Sequence, residues 1–206
     1  MEEQKMEWRL VSIDQETNHP FLNFFTLHYE VTRDGETHPY SYFLASRRSK
    51  DELRAKAGEY SRPDGVMMAL YRVGPKNGEV SVLLTRQFRP AIGAYVTSFP
   101  AGLLDPKDKD ECEAAKREAE EEVGLLISDL ERISPAAPTS SGLSDEMCAF
   151  VMAKVVGSTK QHLEEFEDIS HRFVSLAELK KLLDDPKEFF PLTIRLVCLL
   201  LLARFA

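Results

Sequence analysis

Arg117-Glu118-Ala119-Glu120-Glu121-Glu122-Val123-Gly124-Leu125 is the stretch from which the fold can be read, with Pro100-Ala101-Gly102-Leu103 upstream of it. It closes a segment, Asp110 to Val123, that predicts a helix: Asp108 or Asp110 offers an N-cap, and Gly124 a C-terminal stop. At about 100° per residue, Glu118, Glu121 and Glu122 share one side, and Glu111 falls in the same sector. Cys112, Ala115, Ala119 and Val123 form a small apolar face suited to packing on a sheet, while Glu113 and Glu120 lie on a third, solvated face. Carboxylates at i, i+3 and i+4 are close neighbours, and each like-charge pair costs about 0.2–0.5 kcal/mol unless a cation offsets it. Hard oxygen ligands grouped in this way suit Mg²⁺ or Mn²⁺.

The same stretch explains the charge of the chain. The 206 residues carry a net charge of −8, with 43% hydrophobic and 29% charged residues. Nine acids face four bases between Asp105 and Glu122, so more than half of the surplus is local. The acidic balance argues against a nucleic-acid duplex as partner, and the composition excludes a disordered chain or a disulfide scaffold. The three cysteines show no CxxC or Cys/His spacing, so no structural zinc site is indicated. The first ten residues lack an apolar core of a secretory signal, and the most apolar run, Leu196–Leu202, is too short to span a bilayer. That run reads as a buried C-terminal helix, and the chain as a cytoplasmic protein with no membrane partner.

Working outward, Trp8–Ile13, Phe24–Val31 and Tyr40–Ala45 read as strands, with Asp34-Gly35 as a tight turn between the last two. Ser46–Ser61 is polar and holds a short helix or a linker. Residues 1–60 are therefore expected to form an N-terminal β subdomain and 61–206 the main domain. In the latter, Val66–Val73 and Val80–Phe88 flank the turn residues Gly74–Gly78, and Tyr95–Phe99 is a short extended run. Glu146–Val156 reads as a buried strand and Arg172–Val174 as another. Ser175 with Glu178 is a capping box for a helix through Leu183, and Leu192–Phe205 is the last helix. Strands first and helices last give an α+β fold, an α/β/α sandwich.

The run from Arg117 to Leu125 matches every fixed position of R-E-U-x-E-E-x-G-U, with U apolar, and Gly102 precedes it across a variable loop. This resembles the Nudix hydrolase signature, and the resemblance extends from about Val66 to the C-terminus. It implies a mixed sheet between helices. One position departs: the loop between Gly102 and Arg117 is one residue longer than the pattern. Counted forward from Gly102, the loop acid falls on Asp108; counted back from Arg117, it falls on Lys109. Asp108 keeps the charge and is taken as the stand-in, which leaves the partner of Arg117 for the structure to show.

The resemblance implies roles residue by residue. Glu118 and Glu122 would be metal ligands, Glu121 a third ligand or a water-orienting group, and the Ala101 carbonyl would complete the shell of a Mg²⁺ or Mn²⁺ ion. Arg117 would orient the carboxylates. Pro138–Glu146 resembles the loop of ADP-ribose pyrophosphatases that carries a glutamate, which makes Glu146 the candidate general base. Arg86-Gln87-Phe88-Arg89-Pro90 resembles a substrate-binding segment of the same enzymes, so Arg89, with Arg86 and Gly102, would contact substrate. Ser98 stands where those enzymes often carry a glutamate.

The implied activity is metal-dependent hydrolysis of the pyrophosphate bond of ADP-ribose or a related nucleoside diphosphate sugar. The alternatives are another nucleoside diphosphate derivative, such as a dinucleotide, or a Nudix module that senses a nucleotide without cleaving it. The N-terminal subdomain would build a homodimer, with Phe24, Phe25 or Tyr29 available to stack on a base. The acids Glu164, Glu165, Glu167 and Asp168 read as a solvated segment before a strand.

Overall fold

A computed structural model of the chain describes residues 6–75, 78–163, 165 and 167–205. The chain divides into two compact units, one of residues 1–64 with 136–148, the other of residues 65–135 with 149–206.

The first unit is built on an antiparallel meander of β1 (Glu7–Gln15), β2 (Asn23–Arg33) and β3 (Glu36–Ser46), in that order. The two-residue connection from β2 to β3 is Asp34-Gly35, with φ of 53° and 83°. Positive φ at both residues gives the turn whose twist matches the strands, and Asp and Gly tolerate it. Ile13, Phe25, Leu27 and Leu44 point to one face and close over Leu53. Leu53 leads into the single turn α1 (Arg54–Ala57). Arg54 is buried there with its charge satisfied: Nε donates to the Asp145 carbonyl, Nη1 to that of Glu59, and Nη2 to that of Arg62 and to Asp64 at 2.9 Å. Residues 136–148 join this unit through such bonds and through the Ala45 N–H, which donates to the Leu143 carbonyl at 2.9 Å.

The second unit is a sheet with helices on both faces. Its strands are β4 (Gly65–Val73), β5 (Val80–Arg89), β6 (Ala94–Ser98), β7 (Ala101–Leu103), β8 (Leu125–Pro138), β9 (Met147–Ser158) and β10 (Ile169–Ser175); β8 ends, and β9 begins, in the first unit. The order is β10-β5-β4-β9-β8, with β6 paired to β5 and β7 to β4. Successive side chains of a strand point to opposite faces, and β5 shows the consequence. Val82 and Leu84 enter one core with α3 (Leu176–Asp184) and α4 (Leu192–Arg204), while Leu83 enters another with α2 (Glu111–Val123). This is the expected α+β sandwich.

Local rules hold at the helix ends. Asp110, not Asp108, caps α2, accepting from the N–H groups of Cys112 and Glu113 at 2.9 Å each, and Gly124 ends the helix at φ 63°. Ser175 caps α3 by accepting from the Glu178 N–H at 3.2 Å. Strand β8 has no counterpart in the sequence reading; Asp129 sits at φ 50° within it and interrupts the two-residue alternation by which a strand is recognised.

Two expectations are corrected. Glu111 does not join the carboxylate group of α2: it is buried and paired with Arg132 of β8 at 2.5 Å. The C-terminal helix is only half core. Ile194, Cys198 and Leu201 are buried, but Leu192, Leu196, Leu199 and Leu200 are exposed.

Candidate active site

The site is assembled where β7 meets α2. Ala114, Ala115, Ala119 and Val123 seat α2 against the sheet, their small side chains permitting close approach. That seating turns Glu118, Glu121 and Glu122 toward the short strand β7. Gly102, paired with Val66 across β4, lies directly under the Glu118 carboxyl. A Cβ placed on Gly102 would overlap the Glu118 carboxylate carbon and both its oxygens. The glycine of the motif is thus required by space, its missing side chain being the volume that Glu118 occupies.

Arg117 organises the cluster. Its Nε and Nη2 donate to Asp108 at 3.3 and 2.8 Å, and Nη2 also donates to the Leu103 carbonyl at 3.0 Å. Nη1 donates to Glu118 at 2.7 Å and to Glu121 at 2.9 Å. The planar fork therefore serves three carboxylates and a carbonyl at once, which a lysine could not do. Its hydrogen bonds to Asp108 above all, then those to Glu118 and Glu121, hold Arg117 protonated. Asp108 is buried and makes a forked pair with Arg117, so the extra loop residue leaves the ion pair intact.

Burial raises the Glu118 carboxyl above its ordinary range; Glu121 and Glu167 add to this and Arg117 opposes it. Glu122 is pushed up to about 8, mainly by burial and then by Glu118 and Glu167; the Ala101 N–H, donating to its Oε2 at 2.9 Å, and the charge of Arg89 oppose the shift. Among the described residues, no three His, Cys, Asp or Glu side chains already converge as a cage for a metal ion. Glu118 and Glu121 are drawn to Arg117, and Glu122 to a backbone amide. Even so, the donor set fits a divalent cation. Glu122 is buried, Glu118 nearly so and Glu121 half exposed, and the Ala101 amide, the shared Arg117 guanidinium and the charge of Arg89 leave three grouped carboxylates short of positive charge.

Glu167, by its sequence one of a run of solvated acids, acts by its charge on both Glu118 and Glu122. The signal lay in register: β10 pairs with β5 so that Ile169 faces Gln87, and continuing the ladder brings Glu167 level with Arg89. Glu164 lies outside the described residues. Arg89 and Arg86 go to different faces of β5. Arg89 shares its side with Leu83, toward α2, and its charge reaches Glu122. Arg86 shares its side with Val82 and Leu84 and lies over the Tyr95 ring, 4.8 Å from its centroid.

Glu146 belongs to the first unit, where its nearest cation is Arg47 at 3.8 Å. Of the aromatic residues singled out there, Phe25 is core, and Phe24 stacks on Phe43 at the surface. Tyr29 lines a cavity of about 480 Å³ together with Trp8, Tyr40, Tyr42 and Tyr60.

Comparison with known proteins agrees with this architecture. The chain is 29% identical over 160 residues to an uncharacterized Nudix hydrolase of Schizosaccharomyces pombe, covering 74% of this chain and 72% of that one. It is 31% identical over 108 residues to the ADP-ribose pyrophosphatase of Bacillus subtilis, covering 52% of this chain and 57% of that one. A crystal structure of an ADP compounds hydrolase superposes with a TM-score of 0.67 over 97% of this chain and 94% of that chain, at 17% identity, a likeness of fold. No helix of the described residues is long and apolar enough to cross a membrane. The NUDIX domain family matches residues 61–193, which take in β7, the Arg117 fork and the three glutamates of α2; the chain belongs to that family and is a pyrophosphohydrolase.

Proposed function

We propose that this protein hydrolyses the pyrophosphate bond of ADP-ribose or a related nucleoside diphosphate sugar, releasing a nucleoside monophosphate and a sugar phosphate. The observation that carries the reading is the group of Glu118, Glu121, Glu122 and Glu167 beside Ala101-Gly102, organised by Arg117 and adjoined by Arg89. The name of the Bacillus subtilis relative supports the choice of substrate class.

Glu118, Glu121, Glu122 and the Ala101 carbonyl would hold Mg²⁺ or Mn²⁺, with Glu167 as a further carboxylate. Such an ion, when bound, screens the charge of the diphosphate and polarises the bond to be broken. The protein's own groups do the rest. Arg89 grips phosphate oxygens through its planar fork. Arg117 and Gly102 fix Glu118, the first by hydrogen bond and the second by leaving it room. Glu146 is the assigned base that takes a proton from the attacking water, and Glu167 is a second candidate on account of its reach to Glu118 and Glu122. The first unit is where two copies pair, and the acidic, cytoplasmic chain works without a membrane or nucleic-acid partner.

A substrate panel tests this reading. ADP-ribose, other nucleoside diphosphate sugars and dinucleoside polyphosphates are incubated with Mg²⁺ or Mn²⁺, and products are separated by chromatography. Turnover of the sugars to monophosphate and sugar phosphate is expected. Turnover confined to the dinucleotides, or none with either metal, would overturn it.

A further inference from the structure

The helix α4 carries apolar residues on opposite sides, and the sheet needs only one of them. Ile194, Cys198 and Leu201 enter the core beside α3. On the opposite side Leu192 is 73% exposed, Leu196 57%, Leu199 52% and Leu200 51%, with Ala203 exposed beyond them. Leu192, Leu196, Leu199 and Ala203 follow a four-three-four spacing, the period at which one helix meshes knobs into the holes of another. No charged side chain interrupts that stripe.

We propose that this stripe is a self-association surface, on which α4 of a second copy lies antiparallel to α4 of the first. Three observations favour that occupant. The exposed fractions amount to on the order of 450 Å² of apolar surface, close to the apolar share of a standard interface of about 800 Å² per partner. The stripe is complementary to itself in the antiparallel sense, as a two-fold interface requires. Leu192 then faces Ala203 of the other copy, large against small, and Leu196 faces Leu199, with the helix dipoles opposed. The two cations of the helix are also already engaged, which disfavours an anionic lipid surface as the occupant. Arg195 donates to the Leu183 carbonyl at 2.6 Å, and Arg204 pairs with Glu131 at 2.6 Å. This surface is separate from the three-stranded sheet, through which the reading above pairs two copies.

The test uses the full chain and light scattering at micromolar concentration. Leu196→Glu and Leu199→Lys alter side chains that are already exposed in the single chain, so fold and hydrolysis should be kept. Each variant alone should fall to the mass of the species that the first unit can hold by itself, a monomer or a dimer. An equimolar mixture should regain the full mass, because Glu at 196 then faces Lys at 199 across the interface. Variants of unchanged mass would overturn the proposal, as would a mixture that fails to reassemble. So would loss of binding to phosphatidylcholine–phosphatidylserine vesicles at constant mass, which would assign the stripe to a lipid surface.

Discussion

Replacing Glu122 with glutamine removes a carboxyl that the fold holds far from its ordinary state. In the metal-free protein its pKa is about 8, against 4.5 for an unperturbed glutamate, chiefly because it is buried. A carboxyl raised in this way favours the folded state at low pH. Below pH 4.5 both folded and unfolded chains hold the proton and the contribution is complete. Between about pH 5 and 8 the unfolded chain releases the proton and the folded one retains it, so stability falls by up to about 1.4 kcal/mol per pH unit. Integrated over that window the loss is roughly 3.5 kcal/mol, and little remains to be lost above pH 9.

Mg²⁺ selects the ionised carboxyl, so it should restore stability at pH 8 and do much less at pH 5, where it must displace a proton. The assay is urea unfolding in a chelator at several pH values, for the unaltered chain and Glu122→Gln, then with Mg²⁺ added. The difference between the two proteins is the quantity of interest, since it cancels the other titrations. It should vary with pH by roughly 3 kcal/mol, and the variant should lose most of the response to Mg²⁺. A difference constant from pH 5 to 8, or equal stabilisation of both proteins by Mg²⁺, would refute the reasoning.

Gly102→Ala should keep the fold within about 1 kcal/mol, because the Glu118 carboxyl can swing aside. Hydrolysis should nonetheless drop by about 100-fold, as an ångström-scale displacement of a working group costs that much. Full activity with an unchanged urea midpoint would show that Glu118 need not lie over Gly102. Arg117→Met leaves Asp108 buried without its forked partner and should cost about 3–5 kcal/mol in unfolding experiments. Arg117→Lys should recover only part of this, since an ammonium cannot serve Asp108, Glu118, Glu121 and the Leu103 carbonyl together. Glu146→Gln and Glu167→Gln separate the two candidate bases: the true base should lower kcat far more than it raises KM, and a variant that moves KM alone identifies a binding residue.

Much of the site was legible because its determinants are local. The i, i+3, i+4 spacing of Glu118, Glu121 and Glu122 places them on one side of α2 wherever that helix sits, and Asp110 and Gly124 punctuate the helix by rules that operate within a few residues. The departure at Asp108 was legible as a count, yet not as a structure. Only the folded loop shows that an aspartate, shorter than glutamate, still reaches both Nε and Nη2 of Arg117, at 3.3 and 2.8 Å.

What the chain conceals is non-local. Glu167 resembles a solvated acid until β10 is laid in register on β5, a pairing between segments some eighty residues apart. Arg86 and Arg89 stand three residues apart in one motif, and only the pleat sends one toward α2 and the other to the opposite face. Residues 136–148 are set within the span of the second unit in sequence but belong to the first in space, held by bonds such as that from Arg54 to the Asp145 carbonyl. A leucine-rich helix such as α4, with apolar residues on opposite sides, announces burial without saying of which side. The sequence by itself determined the family, the helix that carries the carboxylates and the chemistry they imply, because spacing along one element is enough for those. The tertiary structure alone decided which distant charges join them and which leucines remain uncovered, because both depend on which surfaces the packed chain brings together.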